Sequence, residues 1–107
     1  MKILNLNVDA AQYVQIIEKG QTELILPITE ELQDQYVKIT PQEVTMLLYD
    51  KIVITSEDKK AEIEVVHTEL DYYPDEEGYI QLYEAKNHKL YIADANIVYH
   101  LGERNAL

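Results

Sequence analysis

The side chains that could carry out covalent chemistry are few in this sequence. Cysteine is absent, which excludes disulfides, thiolate metal sites and cysteine nucleophiles. The single serine, Ser56, lies in the charged stretch "TSEDKK" and has no G-x-S-x-G motif around it. The three glycines, Gly20, Gly78 and Gly102, form neither a G-x-G-x-x-G motif nor a P-loop, which excludes a phosphate-binding loop of either kind. These residues predict no catalytic constellation and no bound cofactor.

Acidic side chains cluster in "DYYPDEEG", which holds Asp71, Asp75, Glu76 and Glu77. This stretch lacks the alternating carboxylates, the central glycine and the terminal glutamate of a calcium loop. Runs of like charge are most often solvated, and we therefore interpret the stretch as a solvated turn. A metal site or a patch for a partner is the alternative interpretation.

The histidines are the remaining candidates for metal ligands. His67, His88 and His100 are too far apart in the sequence to form a ligand pair on one helix. Only folding could bring them together. We interpret them as structural or surface histidines and predict no metal site.

The charge of the chain narrows the class of partner. Nine basic residues stand against twenty acidic ones, which gives a net charge of −11. Arg104 is the only arginine, the residue type that binds phosphate in a bidentate manner, and the lysines are dispersed along the chain. Because binding to a polyanion depends on counterion release by clustered cations, the sequence predicts no generic binding to RNA or DNA and none to an anionic membrane.

The elements that must position these side chains begin with a strand, a helix and a second strand. "MKILNLNV" alternates apolar and polar residues, as a half-buried strand does. "DAAQYVQIIEKG" predicts a helix that Asp9 and Gln12 cap and Gly20 ends. "TELILP" predicts a short strand that ends at Pro27. The apolar residues at helical spacing in the first helix are Ala10, Tyr13, Val14 and Ile17.

A second helix is predicted over "TPQEVTMLLYD". Thr40 is placed as its cap, Pro41 occupies the first helical position, and Glu43 reaches back to the cap. Val44, Leu47 and Leu48 then recur at core spacing. The preceding stretch, "EELQDQYVKI", is compatible with one helical turn or with an extended crossing.

From Lys51 onward the pattern is typical of strands. "KIVIT", the turn "SEDKK" and "AEIEVVHTEL" predict a hairpin, and "YIQLYE", "KLYIAD" and "NIVYHLG" follow after turns at "YPDEEG" and "AKNH". The whole predicts an α+β fold in a single domain, residues 1–107, with about two helices. Residues 51–102 would form a small mixed β-barrel that the strand at Lys2 to Val8 closes, with the helix at Ala10 to Lys19 over one opening.

The start of the chain bears on its location. "MKILNLNV" is followed by acidic and amide residues rather than by a long apolar run, so we expect no signal peptide and no transmembrane span. Together with the absence of cysteine, this pattern favours the cytoplasm.

The first third of the chain, "MKILNLNVDAAQYVQIIEKGQTELILPIT", resembles the ASCH domains of the PUA-like superfamily. The shared features are a short first strand, a helix that ends in I-x-x-G, and a strand that starts two residues later. "YDKIVI" and "IVYHLGE" are similar to the second half of small ASCH-type proteins of bacteria and phages. The resemblance implies a PUA-like barrel with a cleft in its side. It also implies ligand-binding residues at the turn after the first helix: Gly20, Gln21, Thr22 and Glu23.

The ASCH signature, approximately G-x-K-T-x-E-x-R, is degenerate in this chain. When Gly20 is set on its glycine, Thr22 stands at the lysine, Glu23 at the threonine, Ile25 at the glutamate and Pro27 at the arginine. The resemblance extends to small ASCH-type amidohydrolases, which remove acyl groups from N4-acylated cytidine. They use the lysine and the threonine of the signature together with a carboxylate. Such chemistry needs a base beside the nucleophile, and the aligned base is missing.

Two classes of function remain after this comparison. The first is a non-enzymatic ASCH-like module that binds a nucleobase, a nucleotide or another small ligand beside Gly20–Glu23. The second is an acidic protein of a phage or mobile element that binds a basic protein or mimics nucleic acid. An amidohydrolase is a further alternative, in which Lys19 or Lys51 would have to supply the base. We predict the first.

Overall fold

The computed structural model describes all 107 residues and shows a mostly β chain, with 49% of the residues in strands and 11% in helical segments. The strands are β1 (Ile3–Asn7), β2 (Glu23–Pro27), β3 (Val37–Ile39), β4 (Val44–Met46), β5 (Lys51–Ser56), β6 (Lys59–Asp71), β7 (Tyr83–Glu84), β8 (Leu90–Tyr91) and β9 (Asn96–Ala106). They form a five-stranded sheet in the order β1-β5-β6-β9-β2 and two small sheets, β3-β4 and β7-β8. The predicted predominance of strands is confirmed, and the closed barrel stays a prediction.

The chain divides into two compact units. Unit 1 comprises Met1–Leu24, Leu48–Thr68 and Tyr99–Leu107, and unit 2 comprises Ile25–Leu47 and Glu69–Val98. The buried apolar side chains of unit 1 are Leu4, Tyr13, Ile16, Leu24, Ile52, Val53, Ile54, Ala61, Ile63, Tyr99 and Leu101. Those of unit 2 are Ile28, Tyr36, Val37, Ile92, Ala95, Ile97 and Val98. The single domain over residues 1–107 remains a prediction.

The hairpin predicted after Lys51 is present in unit 1. β5 pairs antiparallel with β6, with Ile52 opposite Ile63 and Ile54 opposite Ala61, so that buried apolar side chains fill one face. The turn between the strands is Glu57–Asp58, and Glu57 has a φ of 56°, in the left-handed region that two-residue hairpin turns use. β1 pairs with the other edge of β5 and runs parallel to it.

The first helix is also present, and its capping box is complete. The Gln12 amide N–H donates to Asp9 Oδ1 over 2.7 Å, and the Asp9 amide N–H donates to Gln12 Oε1 over 3.4 Å. α1 (Ala10–Tyr13) continues directly into a π-helical segment, Val14–Glu18. Tyr13 and Ile16 are buried in the core, whereas Ala10, which the helical spacing also placed on the apolar face, is exposed. No helical segment is long and apolar enough to cross a membrane.

The second predicted helix is wrong, because residues 40–50 include a strand and no helix. β3 and β4 form an antiparallel hairpin in unit 2, with Ile39 opposite Val44. The Thr40 N–H donates to the Glu43 carbonyl over 2.9 Å, and the Glu43 N–H donates to Thr40 Oγ1 over 3.2 Å. A threonine followed by a proline suits the first two positions of a β-turn as well as a helix start, and pairing with β3 decides between them. Leu48, a predicted core residue, is 63% exposed.

The ambiguous stretch before this hairpin contains both of the alternatives considered. A 3-10 turn at Gln33–Gln35 is followed by β3. The Gln33 side chain is fully buried in unit 2, where its Nε2 donates to the Leu90 carbonyl over 2.8 Å and its Oε1 accepts from the Ile92 N–H over 3.4 Å. Its amide thus satisfies backbone groups on and beside β8 that lack a strand partner there.

Candidate ligand-binding site

The four predicted site residues form the connection between the first helix and β2. Gly20 has a φ of 67°, so it ends the helix in the left-handed conformation expected from the sequence. Gly20, Thr22 and Glu23 are exposed, and Gln21 is half-buried. All four residues belong to unit 1.

Hydrogen bonds from neighbouring groups hold the backbone of this turn. The Leu101 N–H donates to the Thr22 carbonyl over 2.9 Å, and the Gln21 side-chain amide donates to the Glu23 carbonyl. The guanidinium of Arg104 donates through Nη2 to the Gln21 carbonyl and through Nη1 to the Gly102 carbonyl over 3.2 Å. The only arginine of the chain is therefore used to fix this turn. The groups that the turn offers to a ligand are the Thr22 hydroxyl and the Glu23 carboxylate.

The structure places His100 beside Glu23 and His67 beside His100. Oε1 of Glu23 lies 3.6 Å from Nδ1 of His100, an ion-pair distance that exceeds a normal hydrogen bond. The His100 and His67 rings face each other with centroids 5.3 Å apart and planes tilted by 37°. Glu23, His100 and His67 come from β2, β9 and β6, which are neighbours in the sheet. We call this set the Glu23–histidine row.

The sequence left His67 and His100 as separate structural or surface residues, and only the pairing of their strands unites them. His88 is elsewhere: it belongs to unit 2, where its Nδ1 lies 2.7 Å from Oε1 of Glu84 on β7. The one signal in the sequence was that His67 and His100 each lie inside a long predicted strand. Predicting their contact would have required the strand order.

The Glu23–histidine row has the geometry of a hydrogen-bonding and stacking surface rather than of a metal centre. No group of three or more histidine, aspartate or glutamate side chains is arranged to hold a metal ion. The ring centroids of the two imidazoles lie 5.3 Å apart. Their flat faces and the carboxylate beside them suit a planar ligand that carries N–H donors.

A cleft of about 380 Å³ adjoins the row at His67. It is lined by Leu48, Tyr49, Val65, Val66, His67 and Thr68, all of unit 1. The Tyr49 ring makes an edge-to-face contact with Tyr99 at 6.4 Å, which fixes its orientation. Burial raises the pKa of the Tyr49 hydroxyl above its ordinary value of 10.0, which favours its neutral form. The cleft thus combines aromatic and apolar walls with a few polar groups, as small-molecule sites do.

No protein-family model, curated protein or solved structure matches this chain. The ASCH resemblance therefore stays a hypothesis.

Lys51, one of the two lysines that could serve as a catalytic base, is engaged in an ion pair. Lys51 Nζ forms an ion pair with Glu62 on the neighbouring strand. The hydrogen bond that Lys51 donates to Glu62, together with the charges of Glu62 and Glu64, raises the pKa of Lys51 above its ordinary value. A lysine acts as a base only in its neutral form, and this environment favours the charged form. Lys19 donates through its backbone N–H to the Val14 carbonyl over 3.0 Å, at the end of the helix.

Proposed function

We propose that this protein is a non-enzymatic, ASCH-like binding module that takes a small neutral heterocycle of the nucleobase or nucleoside class. The observation that supports the proposal is the continuity of the Glu23–histidine row with the cleft of about 380 Å³ at His67. This volume lies near the lower end of the range for small-molecule sites, which is about 300–1,000 Å³. It suits a base or a nucleoside better than an oligonucleotide.

Each part of the site has a role in this proposal. The rings of His67 and Tyr49 provide faces on which a planar base can stack, a contact that tolerates different bases. The Glu23 carboxylate accepts hydrogen bonds from the ring and exocyclic N–H groups of the base. The Thr22 hydroxyl adds one adaptable donor and acceptor at the same turn. A neutral ligand is favoured because the chain carries a net charge of −11 and would repel a polyanion.

The proposal excludes hydrolysis by the route that the ASCH resemblance suggests. In the aligned positions, Thr22 replaces the lysine and Ile25 the glutamate, and Lys51 is held in its charged form by Glu62. We therefore expect no release of acetate from N4-acetylcytidine above a buffer blank. Hydrolysis that disappears in Thr22→Val would instead support the amidohydrolase alternative and contradict a purely binding role.

The test is an amide NMR titration with each common free nucleobase and ribonucleoside. We expect shifts at the amides of Glu23, His67 and His100 with at least one of them. Glu23→Gln keeps the size of the side chain and removes its charge, so affinity should fall about tenfold or more, the usual effect of losing a hydrogen bond to a charged group. Glu84→Gln is the matched control, because Glu84 also contacts a histidine but lies in unit 2.

Two results would contradict the proposal. One is the absence of any shift at millimolar concentrations of every base and nucleoside tested. The other is an equal loss of affinity in Glu23→Gln and Glu84→Gln, which would show that general charge and not the Glu23–histidine row determines binding.

A further inference from the structure

Negative charge is distributed unequally between the two units. Unit 2 holds eleven of the twenty carboxylates but only three of the nine basic residues, Lys38, Lys86 and Lys89. Within it, residues 69–85 contain no basic residue and no histidine. The same stretch contains six carboxylates and four tyrosines: Glu69, Asp71, Asp75, Glu76, Glu77 and Glu84, with Tyr72, Tyr73, Tyr79 and Tyr83. A positively charged partner would therefore be attracted to this part of unit 2.

A concave site is formed partly by residues of this acidic stretch. A cleft of about 190 Å³ is lined by Tyr73, Ile80, Gln81, Tyr83, Ala93 and Asp94, all of unit 2. Tyr73 is 80% exposed and Tyr83 is 42% exposed, unusually high values for aromatic side chains within a chain of this size. We call this site the tyrosine cleft.

Contacts within unit 2 preorganise the tyrosine cleft. The Tyr83 ring stacks on Tyr91 with centroids 5.6 Å apart, and its hydroxyl donates to Gln81 Oε1 over 2.7 Å. Pro74 and Ile80 form an isolated β-bridge that brings the Tyr73 and Gln81 ends of the loop together. The turn between them is closed by Asp75, whose Oδ1 accepts the N–H groups of Glu77 and Tyr79, each over 2.9 Å. The walls are therefore set before a ligand arrives.

The size and chemistry of the tyrosine cleft indicate one side chain as its occupant. A volume of about 190 Å³ is below the range of whole small-molecule sites and suits the end of a single long side chain. Tyrosine faces attract a cation placed over the ring, and arginine makes this contact more often than lysine. The carboxylate of Asp94 can accept two N–H groups of a guanidinium. Asp94 has a φ of 54°, a left-handed conformation that aspartate and asparagine tolerate.

We propose that the tyrosine cleft binds an arginine side chain of a basic protein segment. The surrounding carboxylates attract the segment, while Tyr73, Tyr83 and Asp94 hold the guanidinium. A second copy of this chain is a poor occupant, because two chains of charge −11 repel each other. This inference is independent of the ligand proposed for the Glu23–histidine row.

The test is fluorescence anisotropy of the full chain with labelled peptides at low and near-physiological ionic strength. The peptides are an arginine-rich one, a lysine-rich one of equal charge and an uncharged one. We expect the arginine peptide to bind several-fold more tightly than the lysine peptide, and the uncharged one not to bind. Asp94→Asn should weaken arginine-peptide binding about five-fold or more, since it removes a charge-assisted hydrogen bond at an accessible site. Tyr73→Ala should weaken it by roughly two- to five-fold, and Tyr73→Phe should retain the affinity because the cation contact needs the ring only.

Asp58→Asn is the matched control, because it removes the same charge from an exposed turn of unit 1. Equal losses in Asp94→Asn and Asp58→Asn would overturn the proposal in favour of diffuse electrostatic attraction. Equal binding of the arginine and lysine peptides, or no effect of Tyr73→Ala, would also overturn it. The nucleoside titration should be unchanged in Asp94→Asn, so the outcome here is separate from that for the Glu23–histidine row.

Discussion

Replacing Gly102 with alanine tests whether the outer face of β9 is as crowded as the structure indicates. A Cβ atom built on Gly102 would overlap Oε1 of Glu64 and would lie 2.8 Å from Cγ1 of Val66. Both separations are shorter than van der Waals contact allows. Elsewhere in a strand, a change from glycine to alanine stabilises by about 0.4–1 kcal/mol because it restricts the unfolded chain. The sign of the effect therefore depends on whether the two neighbours can move.

The two neighbours differ in this respect. Glu64 is exposed, and its flexible carboxylate can turn away at little cost. Val66 is β-branched, so its χ1 angle is restricted and its methyl group cannot move away freely. Overpacking of this kind costs about 1–3 kcal/mol. When the stabilisation from restricting the unfolded chain is subtracted from this cost, we expect Gly102→Ala to destabilise the protein by about 1 kcal/mol.

Urea unfolding followed by circular dichroism measures this change. With an m-value of about 2 kcal/mol/M, a loss of about 1 kcal/mol lowers the midpoint by about 0.5 M. The double variant Val66→Ala/Gly102→Ala is the decisive comparison, because it removes the rigid neighbour. In the Val66→Ala background, Gly102→Ala should cost little or should stabilise. If Gly102→Ala alone is as stable as the original protein, or if its cost is the same in both backgrounds, the crowding described here is incorrect.

Three other predictions concern the helix cap, the Lys51 ion pair and nucleic acid. Asp9→Ala should lower the free energy of unfolding by about 1 kcal/mol in urea titrations because it removes the capping box, and an unchanged midpoint would contradict that role. Glu62 raises the pKa of Lys51 above 10.5, so the folded state binds the lysine proton more tightly than the unfolded state. The resulting stabilisation is fully present below pH 10.5 and is lost as the pH rises through the folded-state pKa of Lys51. Lys51→Met should therefore reduce the loss of stability at alkaline pH, measured by unfolding at several pH values. An identical pH profile in the variant would contradict a role for the Lys51–Glu62 pair. Labelled RNA and DNA oligonucleotides should show no binding by anisotropy near physiological salt, and micromolar affinity that weakens as salt rises would overturn the electrostatic argument.

The elements that the sequence predicted correctly depend on contacts between residues close together in the chain. Asp9 and Gln12 cap the helix across one turn, and Gly20 ends it because glycine adopts a positive φ without strain. The β5–β6 hairpin likewise joins strands that are separated by two residues. In both cases interactions between residues close in the sequence favour the element, and tertiary packing stabilises the same element.

Where local preferences fit two structures, the sequence alone gave the wrong prediction. The order threonine, proline, glutamine and glutamate at residues 40–43 suits a helix start and a β-turn equally well. Hydrogen bonds from Thr40 to Glu43, together with pairing of Val44 opposite Ile39, select the hairpin. The π turn at Val14–Glu18 was also not predicted, because apolar residues at a spacing of about 3.6 indicate an ordinary α-helix.

The sequence by itself determined the acidic charge, the absence of thiol chemistry, the first helix and the turn at Gly20–Glu23. It could not determine that Arg104 binds the carbonyl of that turn, or that His100 lies between Glu23 and His67. These contacts exist because β6, β9 and β2 are adjacent in the sheet, and strand order is fixed by packing among residues far apart in the chain. A periodic pattern shows which face of a strand is buried, whereas only the folded sheet decides which side chains of neighbouring strands meet.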